Sequence, residues 1–440
     1  MKRLFLALTV TACSFAATAW AAVDIQEVES PGGFKAWLVE EPSIPFVALE
    51  LRFRGGTSLD EPGKRGATSL MVSTLEEGAA EMDASAFAAA KEGIAAKIRY
   101  DAGDDAVSIS MSFLSETRDE AVDLLRASLV EPRFDEQAVE RVRAQLLSNL
   151  QSDLKDPDTI ASRAFDAMIF GDHPYGTPPD GTPETVAALT RDDLVTALKN
   201  GLTQDRVYVA AAGDITADEL GALMDRLLSD LPETGAPLPA DVDVQTEAGV
   251  TVIPFDTPQS VAVFGHKGMK RDDPDFFAAY LLNTIFGGGG FEARLMNEVR
   301  EKRGLTYGIY SYLAPKDHAE LFVGRVASAN DRIAEAIDVI RDEWRKVVEE
   351  GVTPEELERA KTYQTGAYPL RFDGNGPIAK ILVGMQMDDL TPEYIETRNA
   401  KIEAVTLEDI QRVAQELMKP EALHFTVVGR PEGLDEAPMQ

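Results

Sequence analysis

Two side chains in the stretch "GGGGFEARLMNEVREKRGLTYGIYSYL" (residues 287–313) have types and spacing suited to binding a peptide: Arg300 and Tyr307. A charged periodic run, a stop at Gly304 and then alternating apolar residues read as helix, glycine cap and strand. Such a corner brings a guanidinium and a phenol together, where they could clamp a peptide carbonyl. The glycine run lacks the Lys-Ser/Thr of a phosphate loop and completes no dinucleotide fingerprint. A purely structural account covers the same charges. In it Phe291, Leu295 and Val299 form the buried helix face, and Arg294 and Lys302 pair with Glu298. Basic residues in the last turn also suit the helix dipole.

Other chemistry is sparse. There are four histidines, His173, His266, His318 and His424, and no two share a helix-face spacing. An H-x-x-E-H or H-E-x-x-H zinc pair, which aims two imidazoles at one metal, is therefore absent. His173 in "GDHPYG" reads as a loop residue and His424 as part of the last strand. Glu76 and Glu77 are adjacent, so they diverge on a helix and read as a solvated helix end before Gly78. "KDPD" (155–158) and "PPDGTPE" (178–184) lack the order of a calcium loop and read as turns.

The elements that must carry these residues repeat. "VAALTRDDLVTALKNGLTQDRVYVAAAGD" (186–214) aligns without a gap on "IEAVTLEDIQRVAQELMKPEALHFTVVGR" (402–430). Thr190 and Asp193 meet Thr406 and Asp409, a helix cap in each copy, and an apolar strand closes each unit. A looser echo relates 135–147 to 353–365. So long a period means domain duplication. "AVSISMSF" (106–113) alternates as a half-buried strand, and 118–131 and 331–351 have helical spacing, the latter ended by Gly351. Strands and helices come in blocks. The expected class is α+β: two duplicated halves, each an antiparallel sheet covered by helices on one face. The expected divisions are 1–21, 22–232, a Pro- and acid-rich linker at 233–249, and 250–440.

Composition narrows the function. Hydrophobic residues make up 44% of the 440, enough for packed cores, and the formal charge is −32. That sign argues against nucleic acid and anionic membranes, and favours basic or neutral partners. Lys2 and Arg3, an apolar run and Ala19-Trp20-Ala21 form a signal peptide, which points to a periplasm. A lipoprotein anchor at Cys13 ranks second, because the apolar run continues past it. Cys13 is the only cysteine, so cleavage after Ala21 leaves no thiol for disulfide, nucleophile or metal. No transmembrane span is expected after the signal.

The 287–313 stretch resembles the C-terminal half of the pitrilysin/insulinase-type (M16) peptidases and their processing-peptidase relatives. The duplicated halves and "FVALELRFRGGTSLDEPGKRGATSL" (46–70) agree, and the resemblance covers the whole mature chain. It implies two halves enclosing a clam-like cavity, a zinc motif H-x-x-E-H on a helix of the first half, a later glutamate ligand, and an Arg and a Tyr from the second half. Arg300 and Tyr307 match that pair in type and spacing. Ser69, Val72 and Ser73 stand where the His, Glu and His belong, and Asn149 stands at the glutamate position. The resemblance thus implies a chain that binds no zinc and has no activity alone. It implies a non-catalytic, substrate-binding subunit of a heterodimeric zinc peptidase, whose H-x-x-E-H partner holds the zinc and whose substrate is a peptide. The alternative it leaves is an inactive binding or assembly scaffold with no role in proteolysis.

Overall fold

The computed structural model describes residues 24–434; the expected signal segment and Cys13 lie outside them. The first half is built on strands β1 (Gln26–Glu29), β2 (Lys35–Glu40), β3 (Phe46–Arg54), the short pair β4 (Gly78–Ala79) and β5 (Met82–Asp83), β6 (Lys97–Ala102), β7 (Ala106–Leu114) and β8 (Val207–Gly213). Six of these form one sheet in the order β1-β2-β8-β3-β7-β6. Its helices are α1 (Ala67–Thr74), α2 (Ala84–Gly93), α3 (Arg118–Val130), α4 (Glu136–Asp153), α5 (Pro157–Phe170), α6 (Pro183–Ala188), α7 (Arg191–Gly201) and α8 (Ala217–Leu228).

No helix or strand forms between α8 and β9 (Gly249–Pro254). The second half then adds β10 (Gln259–Lys267), β11 (Ile309–Lys316), β12 (Ala319–Ala329) and β13 (His424–Gly429), in the order β11-β12-β10-β13-β9. Its helices are α9 (Phe276–Asn283), α10 (Ile333–Glu350), α11 (Pro354–Ala367), α12 (Asn375–Met387), α13 (Tyr394–Ala404) and α14 (Leu407–Leu417). The chain is α+β as expected, with two halves arranged in keeping with a clam-like enclosure. Each sheet is antiparallel except for one parallel pair, β2 with β8 and β13 with β9.

The repeat read from sequence is visible in these pairs. Thr190 caps α7 and Thr406 caps α14, each in a reciprocal capping box with the aspartate three residues on. The strands that follow, β8 and β13, each take the same parallel place in their sheet. On β7, Val107, Ile109, Met111 and Phe113 are buried while the intervening serines are only half-buried. In α10, Ile333, Ile337, Ile340, Trp344 and Val347 form a buried stripe, and Gly351 at φ 75° stops it.

The second face of each sheet is covered by a helix from the other half. Ala210 and Ala212 on β8 are small enough to admit α12, whose Ile378, Leu382 and Val383 bury there with Trp37 and Val39. Gln386 on α12 also donates to Val209 O at 2.9 Å. Reciprocally, Phe165 and Ile169 of α5 pack on Val261, Val263 and Val428 of the second sheet. Gly265 admits Phe165 there, since a Cβ at that position would lie 3.3 Å from the Phe165 ring and 2.4 Å from Phe322 O. The turn between β11 and β12 adds a polar clasp. Lys316 pairs with Asp104 and lies 4.1 Å from the Tyr175 ring centre, and the His318 N–H donates to Tyr175 Oη at 3.2 Å. Burial pushes the Asp166 carboxyl beside this clasp up to about 6. Part-exposed ion pairs contribute about 0–1 kcal/mol. Truncating a fully buried leucine such as Leu382 costs roughly 2–5 kcal/mol. The swapped helices, more than the clasp, hold the halves together.

Candidate functional site

The four positions expected from sequence to stand in place of zinc ligands, Ser69, Val72, Ser73 and Asn149, lie on two packed helices, α1 and α4. Ser69 and Val72 are buried, 5% and 4% exposed, and Val72 packs in the first core. Ser69 Oγ donates to Pro179 O at 3.4 Å. Ser73 and Asn149 are exposed, and Asn149 Oδ1 accepts from Gln145 Nε2 at 3.0 Å. Two hydroxyls, a valine and an amide supply neither imidazole nor carboxylate, so this donor set does not fit zinc and offers no general base. Among the described residues no group of three or more His, Cys, Asp or Glu could hold a metal ion. Glu76 and Glu77 are turned to other work, pairing with Lys91 and Arg141.

Arg300 and Tyr307 both line one open cavity of about 530 Å³, with Gln259, Glu301, Thr306 and Arg332. The local fold explains how. Gly287 lets the segment after α9 lie against β11, since a Cβ there would stand 2.2 Å from Ser311 Oγ. A wide π-turn runs over Met296–Glu301, with Leu295 and Val299 buried beneath it. Gly304 at φ 60° ends it, its N–H donating to Arg300 O at 2.7 Å.

The following loop is pinned from several sides. The Leu305 N–H donates to Val299 O at 3.0 Å, and Ser328 Oγ donates to Leu305 O at 2.5 Å. Thr306 Oγ1 lies 2.6 Å from Ala327 O and accepts from the Gly308 N–H at 3.1 Å. Arg332 donates to Gly304 O at 2.9 Å and to Arg303 O at 3.2 Å. On this fixed loop the Tyr307 side chain stands 89% exposed. A single exposed tyrosine is ordinary on a protein surface. One held on a braced loop beside a guanidinium-lined cavity is placed for contact.

Some expected contacts differ. Phe291 is 69% exposed instead of buried, and its ring lies 4.8 Å from the Arg300 guanidinium. Phe291 sits in a separate short turn, Gly290–Glu292, which the extended backbone of Ala293 breaks off from the helical segment that follows. Arg294 makes a two-pronged bond to Glu356 of α11, at 2.6 Å on each oxygen, while the expected Lys302–Glu298 pair forms and Arg303 joins it in place of Arg294. Sequence reasoning missed Arg332, Thr306 and Ser328, whose roles depend on contacts between strands. It also gave no sign that His173 and His318 lie near each other, with ring centres 6.2 Å apart.

His266 is structural. It is buried against Trp344 and Phe322, its Nδ1 bonded to Lys267 O and its Nε2 accepting from the Lys419 N–H at 3.3 Å. Burial pulls it from the usual 6.5 down to about 4. A depressed histidine favours the fold while neutral, so its contribution is complete above 6.5 and is lost as pH falls towards 4. Wild-type protein should lose on the order of 3 kcal/mol over that window from this group. Denaturant midpoints for wild type and His266→Gln should therefore converge on acidification. Parallel curves would contradict the neutral assignment.

Comparison with known proteins agrees with the geometry. Residues 188–363 match the family model described as "Peptidase M16 inactive domain". A protein of Helicobacter pylori described as "Non-peptidase homolog" is 27% identical over 332 residues, covering 76% of this chain and 77% of that protein. An "Uncharacterized zinc protease" of Streptomyces coelicolor is 26% identical over 411 residues, covering 90% and 87%. The crystal structure of a peptidase M16 inactive domain from Pseudomonas fluorescens superposes with a TM-score of 0.87 at 27% identity, over 95% of this chain and all of that one. A protease from Helicobacter pylori shares the fold, with a TM-score of 0.84 at 15% identity. The α+β halves and these matches make the chain similar to the M16 peptidases, including members described as inactive or as non-peptidase.

Proposed function

We propose that this chain is the non-catalytic, substrate-binding subunit of a heterodimeric zinc peptidase in the periplasm. Its partner is an M16 subunit bearing H-x-x-E-H, which holds the zinc and the general base. The observation that carries the reading is the pairing of Arg300 and Tyr307 on one cavity of a chain whose zinc positions are Ser69, Val72, Ser73 and Asn149. A peptide lying in the shared site would meet Arg300 through its backbone carbonyls. The Tyr307 hydroxyl would donate to the oxyanion that develops as water attacks the scissile carbonyl. A preoriented donor of this kind acts chiefly on the transition state.

A scaffold without a role in proteolysis is the second reading, favoured by the description of the Helicobacter pylori relative as a non-peptidase. A scaffold has no use for a braced, exposed phenol beside Arg300. Association separates the readings first. Sedimentation of the mature chain with an H-x-x-E-H subunit from the same organism should show a one-to-one complex. If such subunits leave its sedimentation unchanged, the heterodimer is wrong.

A further inference from the structure

The cavity beside Tyr307 has a local charge opposite to that of the chain. Its charged lining residues are Arg300, Glu301 and Arg332. Arg300 is paired with Glu301 at 2.5 Å. Arg332 forms no ion pair among the described residues, and its two bonds go to neutral carbonyls, Gly304 O and Arg303 O. The other polar groups on the wall, from Gln259, Thr306 and Ser328, are uncharged. One positive charge is thus left over, in a chain whose formal balance is −32.

The two carbonyl bonds do more than brace the loop. They hold the Arg332 guanidinium at the wall of the cavity. A guanidinium held this way loses little rotamer freedom when it binds an oxyanion, and its forked donors fit a carboxylate. A neutral or basic group entering here would meet a cation with no compensating acceptor beyond Glu301, which Arg300 already occupies. The cavity therefore discriminates by charge, against the basic preference that the overall surface would suggest.

We propose that this cavity receives a peptide carboxylate, from an acidic side chain or a free C-terminus, with Arg332 as the specificity-determining residue. The inference rests on the peptide-binding reading above and adds the chemical class of the group beside Tyr307. The test is fluorescence anisotropy of the full-length mature chain with four labelled peptides of one uncharged core. They carry Glu or Gln near the C-terminus, each as free acid and as amide.

At least one carboxylate should tighten binding by about tenfold at low salt, as a charge-assisted forked contact does, and the pair of peptides that shows it identifies the source. Arg332→Gln should abolish that preference, and Arg332→Lys should retain part of it through its charge. Thermal midpoints of both variants report whether the loop and fold survive; if Arg332→Gln is unfolded, Arg332→Lys and the wild-type peptide ranking decide. Equal binding of all four peptides to wild type overturns the carboxylate assignment and leaves the peptide-binding reading standing. No binding of any peptide overturns both.

Discussion

Tyr307→Phe is expected to lower turnover of the proposed two-chain enzyme by about 10²–10³-fold, the usual scale for removing one oxyanion donor. Association of the chains and the fold of this one should be unchanged. The reason is local. The ring is 89% exposed, so losing its hydroxyl opens no cavity, and the loop is braced by Thr306, Ser328 and Arg332 instead of by Tyr307. A structural residue would show the reverse, with weakened association or a lower thermal midpoint and turnover per complex unchanged. Steady-state kinetics on the mixed complex, with sedimentation alongside, separates the two outcomes. Full turnover in Tyr307→Phe would mean that the site assignment is wrong.

The second large effect is on stability. Val72→Glu should destabilise the chain by roughly 3 kcal/mol or more, because a carboxylate would enter a packed apolar site without a partner. Val72 is 4% exposed among Leu70, Met71 and Leu75 in the first core. Ser73→His, on the exposed side of α1, should fall within the roughly ±0.5 kcal/mol typical of surface changes. Denaturant unfolding of the two variants checks the contrast. If Val72→Glu were as stable as wild type, α1 would face solvent on the side described here as core.

The sequence disclosed a good deal of this architecture, for reasons that can be traced to particular residues. The Thr–Asp capping boxes at Thr190 and Thr406, and the apolar strands behind them, are local signals, so the duplication was legible without a structure. So was the alternation of β7 and the glycine stop at Gly351. Arg300 and Tyr307 are close in sequence across one glycine-capped turn, so their meeting at a cavity followed from local geometry. The exchange of α5 and α12 between halves was not legible, because an apolar helix stripe does not name the sheet it will cover. The π-turn at Met296–Glu301 was hidden too, since its residues fit a regular helix, and so was the extended break at Ala293 that leaves Phe291 outside it. Arg332 reaches the loop from beyond β12, and no spacing rule announces a contact of that kind.

Zinc-dependent hydrolysis of a peptide by this chain alone, by an H-x-x-E-H subunit alone and by their titrated mixture tests the central claim most directly. The account predicts that this chain is silent, that the mixture far exceeds the sum of its parts, and that the gain saturates at equimolar chains. Hydrolysis by this chain alone that survives removal of zinc, or a mixture no more active than the zinc-bearing subunit, would contradict it.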